Sequence, residues 1–271
     1  MIFFLNLAVV IAKVIAGVLA NSLTVISDAV HSTIDMVNNV VGVMVIRYAS
    51  SPPDKEHPYG HGKFETLGAY SISGFLFITC FELIWRAINH LFFDKESQPE
   101  ISALTVVVIT ATVLINICVT KYEEYKGREL SSELLIADAT HTKSDIYVSI
   151  SVLASFVFVY FGYTIADAIF ALFIAVLIAY SGYSLFQQTV PILVDAVGIE
   201  AQKIEQIALS TPGVVSCSNI RSRGKPGDLF IEMVVKVKTG SLKDAHEVTE
   251  AIELKLREEF GRADITIHFE P

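Results

Sequence analysis

A pattern of eight residues occurs twice in this chain. Asp28-Ala29-Val30-His31-Ser32-Thr33-Ile34-Asp35 and, 110 positions later, Asp138-Ala139-Thr140-His141-Thr142-Lys143-Ser144-Asp145 both read D-A-x-H-[ST]-x-x-D. On a helix, residues four apart share a face, so His31 and Asp35 project side by side, and so do His141 and Asp145. Two such helices facing each other offer two imidazole nitrogens and two carboxylates at one point. That N/O set suits a tetrahedral divalent cation such as zinc. The ordinary reading of one His-x-x-x-Asp is a surface pair or a satisfied core histidine. The repetition favours a shared intramembrane cation site, as does its place inside long apolar segments, where ionisable groups are expensive. Asp28 and Asp138 stand one turn before each histidine, either as vestibule groups or as partners that orient the imidazoles.

A second dense patch is Asp54-Lys55-Glu56-His57-Pro58-Tyr59-Gly60-His61-Gly62-Lys63-Phe64-Glu65. Asp54, His57 and His61 are spaced three and four apart, and Gly60 and Gly62 permit a tight turn that brings them to one cation. The alternative is an ordinary solvated loop.

These residues need elements to position them. Of the 271 residues 52% are hydrophobic and 18% charged, the profile of a polytopic membrane protein followed by a smaller soluble part. The net charge of −9 argues against nucleic acid as a partner. Cys80, Cys118 and Cys217 are scattered and form neither a disulfide framework nor a thiolate site. A transmembrane helix needs about 20 mostly apolar residues. Six candidates follow, at about 2–20, 23–48, 64–91, 101–121, 131–162 and 165–189. The first lacks the basic start and cleavage site of a signal peptide and reads as a true span. Ser51-Pro52-Pro53-Asp54 breaks the chain after the second span, the polar run Lys121 to Arg128 follows the fourth, and Pro191 closes the sixth. Lys13, within the first span, either pairs with Asp28 or reaches a water-filled cavity. Gly68, Ser71, Ser73 and Gly74 are small enough for close helix packing in the third span.

Basic residues mark the cytoplasmic side. Arg47, Lys55 and Lys63 flank the loop after the second span, and Lys121, Lys126 and Arg128 follow the fourth, while Lys95 stands alone in the opposite loops. Both termini are then cytoplasmic. Both His/Asp pairs fall roughly 12–20 Å deep, near the middle of a bilayer about 30 Å thick. Transporters place their substrate at that depth.

The domain boundary is expected near 195/196. From about residue 199 the pattern is soluble: a helix over 199–210, strands from Val214 to Arg223 and Leu229 to Lys238, a hairpin turn over Arg223 to Gly227, an amphipathic helix from Ser241 (its N-cap) to Phe260, and a strand from Asp264 to Phe269. The order αββαβ is a small two-layer α+β domain. At about 75 residues it has one modest core, which dimerisation would support.

Taken together, Ser27 to Asp35, His57 to Glu65 and Asp138 to Asp145 resemble the motifs of the cation diffusion facilitator family over essentially the whole chain. The resemblance implies a six-span metal–proton antiporter with a metallochaperone-like (ferredoxin-like) cytoplasmic domain and a homodimeric assembly. By position, His31, Asp35, His141 and Asp145 match the family's central transport site, of the zinc-preferring type. Asp54, His57 and His61 match a loop site of bacterial members. Lys63 matches a lysine that pairs with an aspartate after the sixth span to tie the dimer, for which Asp195 is the candidate. His246, His268 and Glu270 fall where relatives hold metal at the dimer interface. Ser218 and Val234 stand where histidines are expected there, so that site is weak or absent. The lack of a histidine-rich loop between the fourth and fifth spans points to a prokaryotic inner membrane.

The expected function is export of a divalent cation, Zn²⁺ foremost, in exchange for protons. Imidazole and carboxylate bind metal only when deprotonated, so metal and protons compete for one site. The alternatives are a carrier loaded mainly with Fe²⁺, Mn²⁺, Cd²⁺ or Co²⁺, and a membrane metal sensor or scaffold without flux. An enzyme is not expected, because there is no His-Glu-x-x-His and four protein ligands leave zinc no open position.

Overall fold

The computed structural model describes residues 7, 10, 11, 14, 15, 33, 40–92, 103–161, 163, 165–238 and 241–270. His31, Asp35, Asp28 and Lys13 lie outside the described residues. The chain divides into two compact units, Met1–Gln187 and Gln188–Pro271.

The end of the second expected span is the apolar helix α1, Val40–Ala49. After the Pro52-Pro53 break come α2 (Lys63–Phe92), α3 (Ala103–Glu129), α4 (Glu133–Tyr160) and α5 (Ile165–Leu193). Among the described residues three helices are long and apolar enough to cross a membrane: Lys63–Asn89, Val106–Glu129 and Ala168–Leu193. The helix α4 has the length, but its first half carries Glu133, Asp138, Lys143 and Asp145. Large apolar side chains such as Phe81, Phe173 and Val176 stand exposed on these helices. On a soluble protein such faces would be anomalous, whereas lipid is their natural solvent.

Inside this unit, Ala69, Leu76 and Cys80 of α2 pack with Ala137 of α4 and Ile174, Ala175, Ile178 and Leu185 of α5. Small residues set the approach. Cys80 donates through Sγ to the Ala175 carbonyl at 3.3 Å, and a Cβ added at Gly182 would lie 3.3 Å from the Leu76 side chain. The small residues expected to serve α2 divide. Gly68 and Ser73 face inward, with Leu134 3.1 Å from a Cβ added at Gly68, whereas Ser71 is exposed and, among the described residues, nothing lies within 4 Å of a Cβ added at Gly74.

Two expected helix ends move. The polar run after residue 121 does not leave the helix: α3 continues to Glu129, with Lys126 and Arg128 in its last turn, where cations oppose the negative end of the helix dipole. It stops where Ser131 takes a φ of +51° and the Ser132 N–H reaches back to the Gly127 carbonyl at 2.8 Å. Pro191 does not close the last span either, because α5 runs to Leu193. Proline costs the helix one N–H but leaves later ones intact. The Val194 N–H still donates to Val190, and the end comes with Asp195 at φ +56° and the Ala196 N–H bonded to the Pro191 carbonyl at 2.8 Å. Both ends have the Schellman geometry, with a non-glycine residue in the left-handed position.

The second unit follows the expected order: α6 (Ala201–Leu209), β1 (Val214–Lys225), β2 (Asp228–Val237), α7 (Leu242–Phe260) and β3 (Ala263–Glu270). The sheet order is β1-β2-β3. β1 pairs antiparallel with β2, in register Lys225↔Asp228 across the two-residue turn Pro226-Gly227. β3 returns parallel to β2, with Ile231↔Ile265 and Met233↔Ile267; a parallel return requires the crossover that α7 provides. Ile231, Met233, Val235 and Val237 alternate inward and meet Ile204 and Ala208 of α6 and Ile252 and Leu256 of α7. Ser241 stands at the N-cap of α7 as expected, but its side chain makes no capping hydrogen bond.

Candidate metal centre

The loop between α1 and α2 gathers one set of donors. Among the described residues, Asp54, His57 and His61 form the one group of three or more potential ligands whose donor atoms lie within 4.8 Å of one another. His61 Nε2 is 3.3 Å from Asp54 Oδ2, and His57 Nδ1 is 3.6 Å from Asp54 Oδ1. Local turns make this happen. Asp54 Oδ1 accepts the N–H groups of Glu56 (2.9 Å) and His57 (2.7 Å), and Gly60, at φ +90°, closes onto the His57 carbonyl. The N–H of His57 foremost, with that of Glu56 and the neighbouring imidazoles, holds the Asp54 carboxyl below the usual carboxylate range.

The two rings are seated unequally. His61 is 2% exposed, His57 33% and Asp54 52%. The His61 ring lies edge-on to Tyr48 at 4.7 Å and stacks on Phe64 at 6.0 Å, and the two histidine centroids are 4.6 Å apart. Among the described residues, both ring nitrogens of His61, and Nδ1 of His57, are buried without a hydrogen bond. Buried polar atoms ordinarily find a partner. One such nitrogen from each ring, with the Asp54 carboxylate beside them, fits a divalent cation.

The second set lies on α4. His141 Nε2 and Asp145 Oδ2 are 3.9 Å apart, and both side chains are largely buried. Asp138 and His141 line a cavity of about 440 Å³, otherwise mostly apolar, whose wall includes Met44, Tyr48, Phe64 and Leu134. The partners expected from the second span, His31 and Asp35, lie outside the described residues.

Sequence reasoning missed Glu123. It lies on α3, 1% exposed, accepts a hydrogen bond from Thr142 Oγ1 at 3.4 Å, and is within electrostatic reach of Asp138 and His141. It sat in the polar run read as a loop. Its signal was helical periodicity: Val119, Glu123 and Gly127 are buried at intervals of four, so Glu123 prolongs the inner face of α3.

The C-terminal candidates do not gather within one chain. His246 is exposed on α7 and pairs with Glu250 at 3.3 Å. His268 and Glu270 project from the exposed side of β3, opposite Val234 and Lys236. Lys63 opens α2 and is exposed. Asp195 accepts Arg223 Nη1 at 3.3 Å.

A helical unit with membrane-length apolar helices, joined to a small α+β domain, has the architecture of a cation efflux transporter, and the family matches place it there. The chain belongs to the cation diffusion facilitator family: residues 1–194 match the family's cation efflux transmembrane domain, and residues 196–271 match the cation efflux protein cytoplasmic domain. It is similar to the cation-efflux pump FieF of Serratia proteamaculans (30% identity, covering 96% of this chain and 87% of that one). It also resembles a protein of Methanocaldococcus jannaschii described as an uncharacterized transporter (29%; 93% and 89%), and metal tolerance protein C1 of Arabidopsis thaliana (31%; 96% of this chain and 59% of that one).

Proposed function

We propose that the protein exports divalent cations, Zn²⁺ before Fe²⁺, Mn²⁺, Cd²⁺ or Co²⁺, in exchange for protons by alternating access. The observation that carries this reading is the His141/Asp145 pair, two potential ligands on one largely buried face of α4, with His141 also lining a cavity. The repeat of the same pattern at His31 and Asp35 supplies the other half of a four-ligand substrate site. Zinc from the cytoplasm displaces protons from these ligands. After the helices rock to face outward, external protons compete for the same atoms and release the metal. Because two helices supply all four ligands, a small relative shift opens the tetrahedron, as a carrier requires. The ligands serve binding and release, not catalysis.

Asp54, His57 and His61 hold a resident cation that stiffens the loop. The chain has six spans, with its boundary near 195/196 and both termini in the cytoplasm of a prokaryotic cell. It works as a homodimer, supported by a cytoplasmic-domain match whose model is named for dimerisation and tied by Lys63 to Asp195. His246, His268 and Glu270 hold metal weakly or not at all.

Flux of Zn²⁺ into proteoliposomes with an acid interior tests the reading, with wild type compared against Asp35→Ala. Uptake that needs both the gradient and Asp35 is expected. Metal that binds stoichiometrically and never crosses overturns the carrier reading in favour of a sensor.

A further inference from the structure

The first turn of α2, which follows the loop set, is joined to the start of α4 by a pair of side-chain hydrogen bonds that neither site uses. Ser132 precedes α4 and caps it: its Oγ accepts the Leu135 N–H at 3.3 Å, leaving its own proton to donate to Glu65 Oε1 on α2. One residue along, Thr66 Oγ1 on α2 donates to Glu133 Oε2 on α4 at 2.7 Å. The two bonds run in opposite senses, hydroxyl on α4 to carboxylate on α2 and the reverse. Thr66 and Ser132 are both buried. A slide or rotation of either helix start breaks both bonds at once.

The positions joined are informative. Glu65 lies four residues after the ligand His61, and its own N–H bonds to the Gly62 carbonyl at 3.1 Å. The His61 ring also rests on Tyr48 at the end of α1. On the other side, Ser132 stands nine residues before His141, about 14 Å along a straight helix. The loop therefore touches the helix end of the second span directly, and it touches α4 through these bonds.

We propose that Glu65, Thr66, Ser132 and Glu133 form a latch through which the loop cation site sets the position of α4, making them positioning residues for His141 and Asp145. This rests on the transport-site reading above. With a cation on Asp54, His57 and His61, the His61 ring and the turn behind it are fixed, and the latch carries that order into the first turn of α4. Without the cation, the same latch carries the looseness.

Calorimetric titration of the full-length protein in detergent micelles with Zn²⁺ alone tests this by a double-mutant cycle. His141→Ala identifies the transport-site isotherm. His61→Phe keeps a ring against Tyr48 and Phe64 but removes the loop ligand. It is expected to weaken the transport site about tenfold, the scale of lost supporting interactions around metal ligands. In a Thr66→Val/Ser132→Ala background the same substitution is expected to change transport-site affinity less than twofold, and that background without His61→Phe is expected to keep loop-site affinity at its wild-type value. Ser132→Thr, which keeps hydroxyl and cap, is expected to restore the coupling. If the double variant does not fold, Thr66→Val alone is judged by the same criterion, since it leaves the cap of α4 in place. Equal weakening in both backgrounds, or none in either, overturns the latch. An unchanged number of bound Zn²⁺ in His141→Ala overturns the transport-site reading instead.

Discussion

The loop set and the α4 pair use the same chemistry in opposite architectures. Asp54, His57 and His61 come from eight consecutive residues, bent into place by an aspartate-capped turn and a positive-φ glycine. Nothing in a rigid-body movement of helices takes that set apart. His141 and Asp145 stand 3.9 Å apart on one helix face, and on the proposed function a second helix supplies the rest of their site. On the proposed function, a locally closed set would retain its cation through the transport cycle, whereas a set divided between helices would be assembled and dismantled by their motion. The C-terminal candidates show a third case: His246 and His268 stand on exposed faces of different elements.

The contrast can be broken experimentally. The largest effect falls on the divided site. Asp145→Ala is expected to abolish proton-driven Zn²⁺ uptake while dimer mass and melting temperature hold, and uptake at the wild-type rate would remove α4 from the transport path. The loop site ranks second. His61→Phe is expected to lose one bound metal per chain by elemental analysis and to slow uptake about tenfold. Unchanged metal content would make the loop an ordinary turn.

Packing between the two sites comes third. A side chain at Gly68 meets Leu134 at 3.1 Å. Gly68→Val is therefore expected to cost about 1–3 kcal/mol through overpacking where α2 meets α4, read as a lower thermal midpoint in micelles. The smallest effect is predicted at His246, which is exposed and paired only along its own helix in the described contacts. His246→Ala is expected to leave metal count and uptake unchanged, with stability altered by less than about 0.5 kcal/mol. A lost metal would place a working site at the dimer interface.

The acid side of the loop site has a defined order. Asp54 titrates below an ordinary carboxylate because backbone N–H groups hold its charged form. A depressed folded-state pKa contributes stability at higher pH, which is lost only as pH falls through that lowered value. Between pH 7 and 5, above that lowered range, the turn held by Asp54 is then expected to stay intact. Proton-detected NMR of the Glu56 and His57 amides, unchanged over that range, checks it.

What could be read before the structure was whatever short-range spacing governs. Residues four apart share a helix face, so the His141/Asp145 pair followed from sequence. Residues three and four apart beside glycines converge, so the donors of the loop did too. The strand-like runs Val214 to Arg223 and Leu229 to Lys238, the turn over Arg223 to Gly227 and the amphipathic period from Ser241 to Phe260 led to the αββαβ order.

The tertiary structure decided what depends on how elements cross. It carried α3 past its apolar stretch and so buried Glu123 beside Thr142. It let α5 continue beyond Pro191, because a missing N–H interrupts one hydrogen bond and not the turn that follows. It turned Gly68 and Ser73 inward and left Gly74 facing open space. It also set Glu65 against Ser132 and Thr66 against Glu133, 67 positions apart in the chain. Such pairs leave no periodic trace in either segment, because a hydrogen bond between helices is fixed by where the two backbones meet, and that meeting is settled by the packing of the whole bundle.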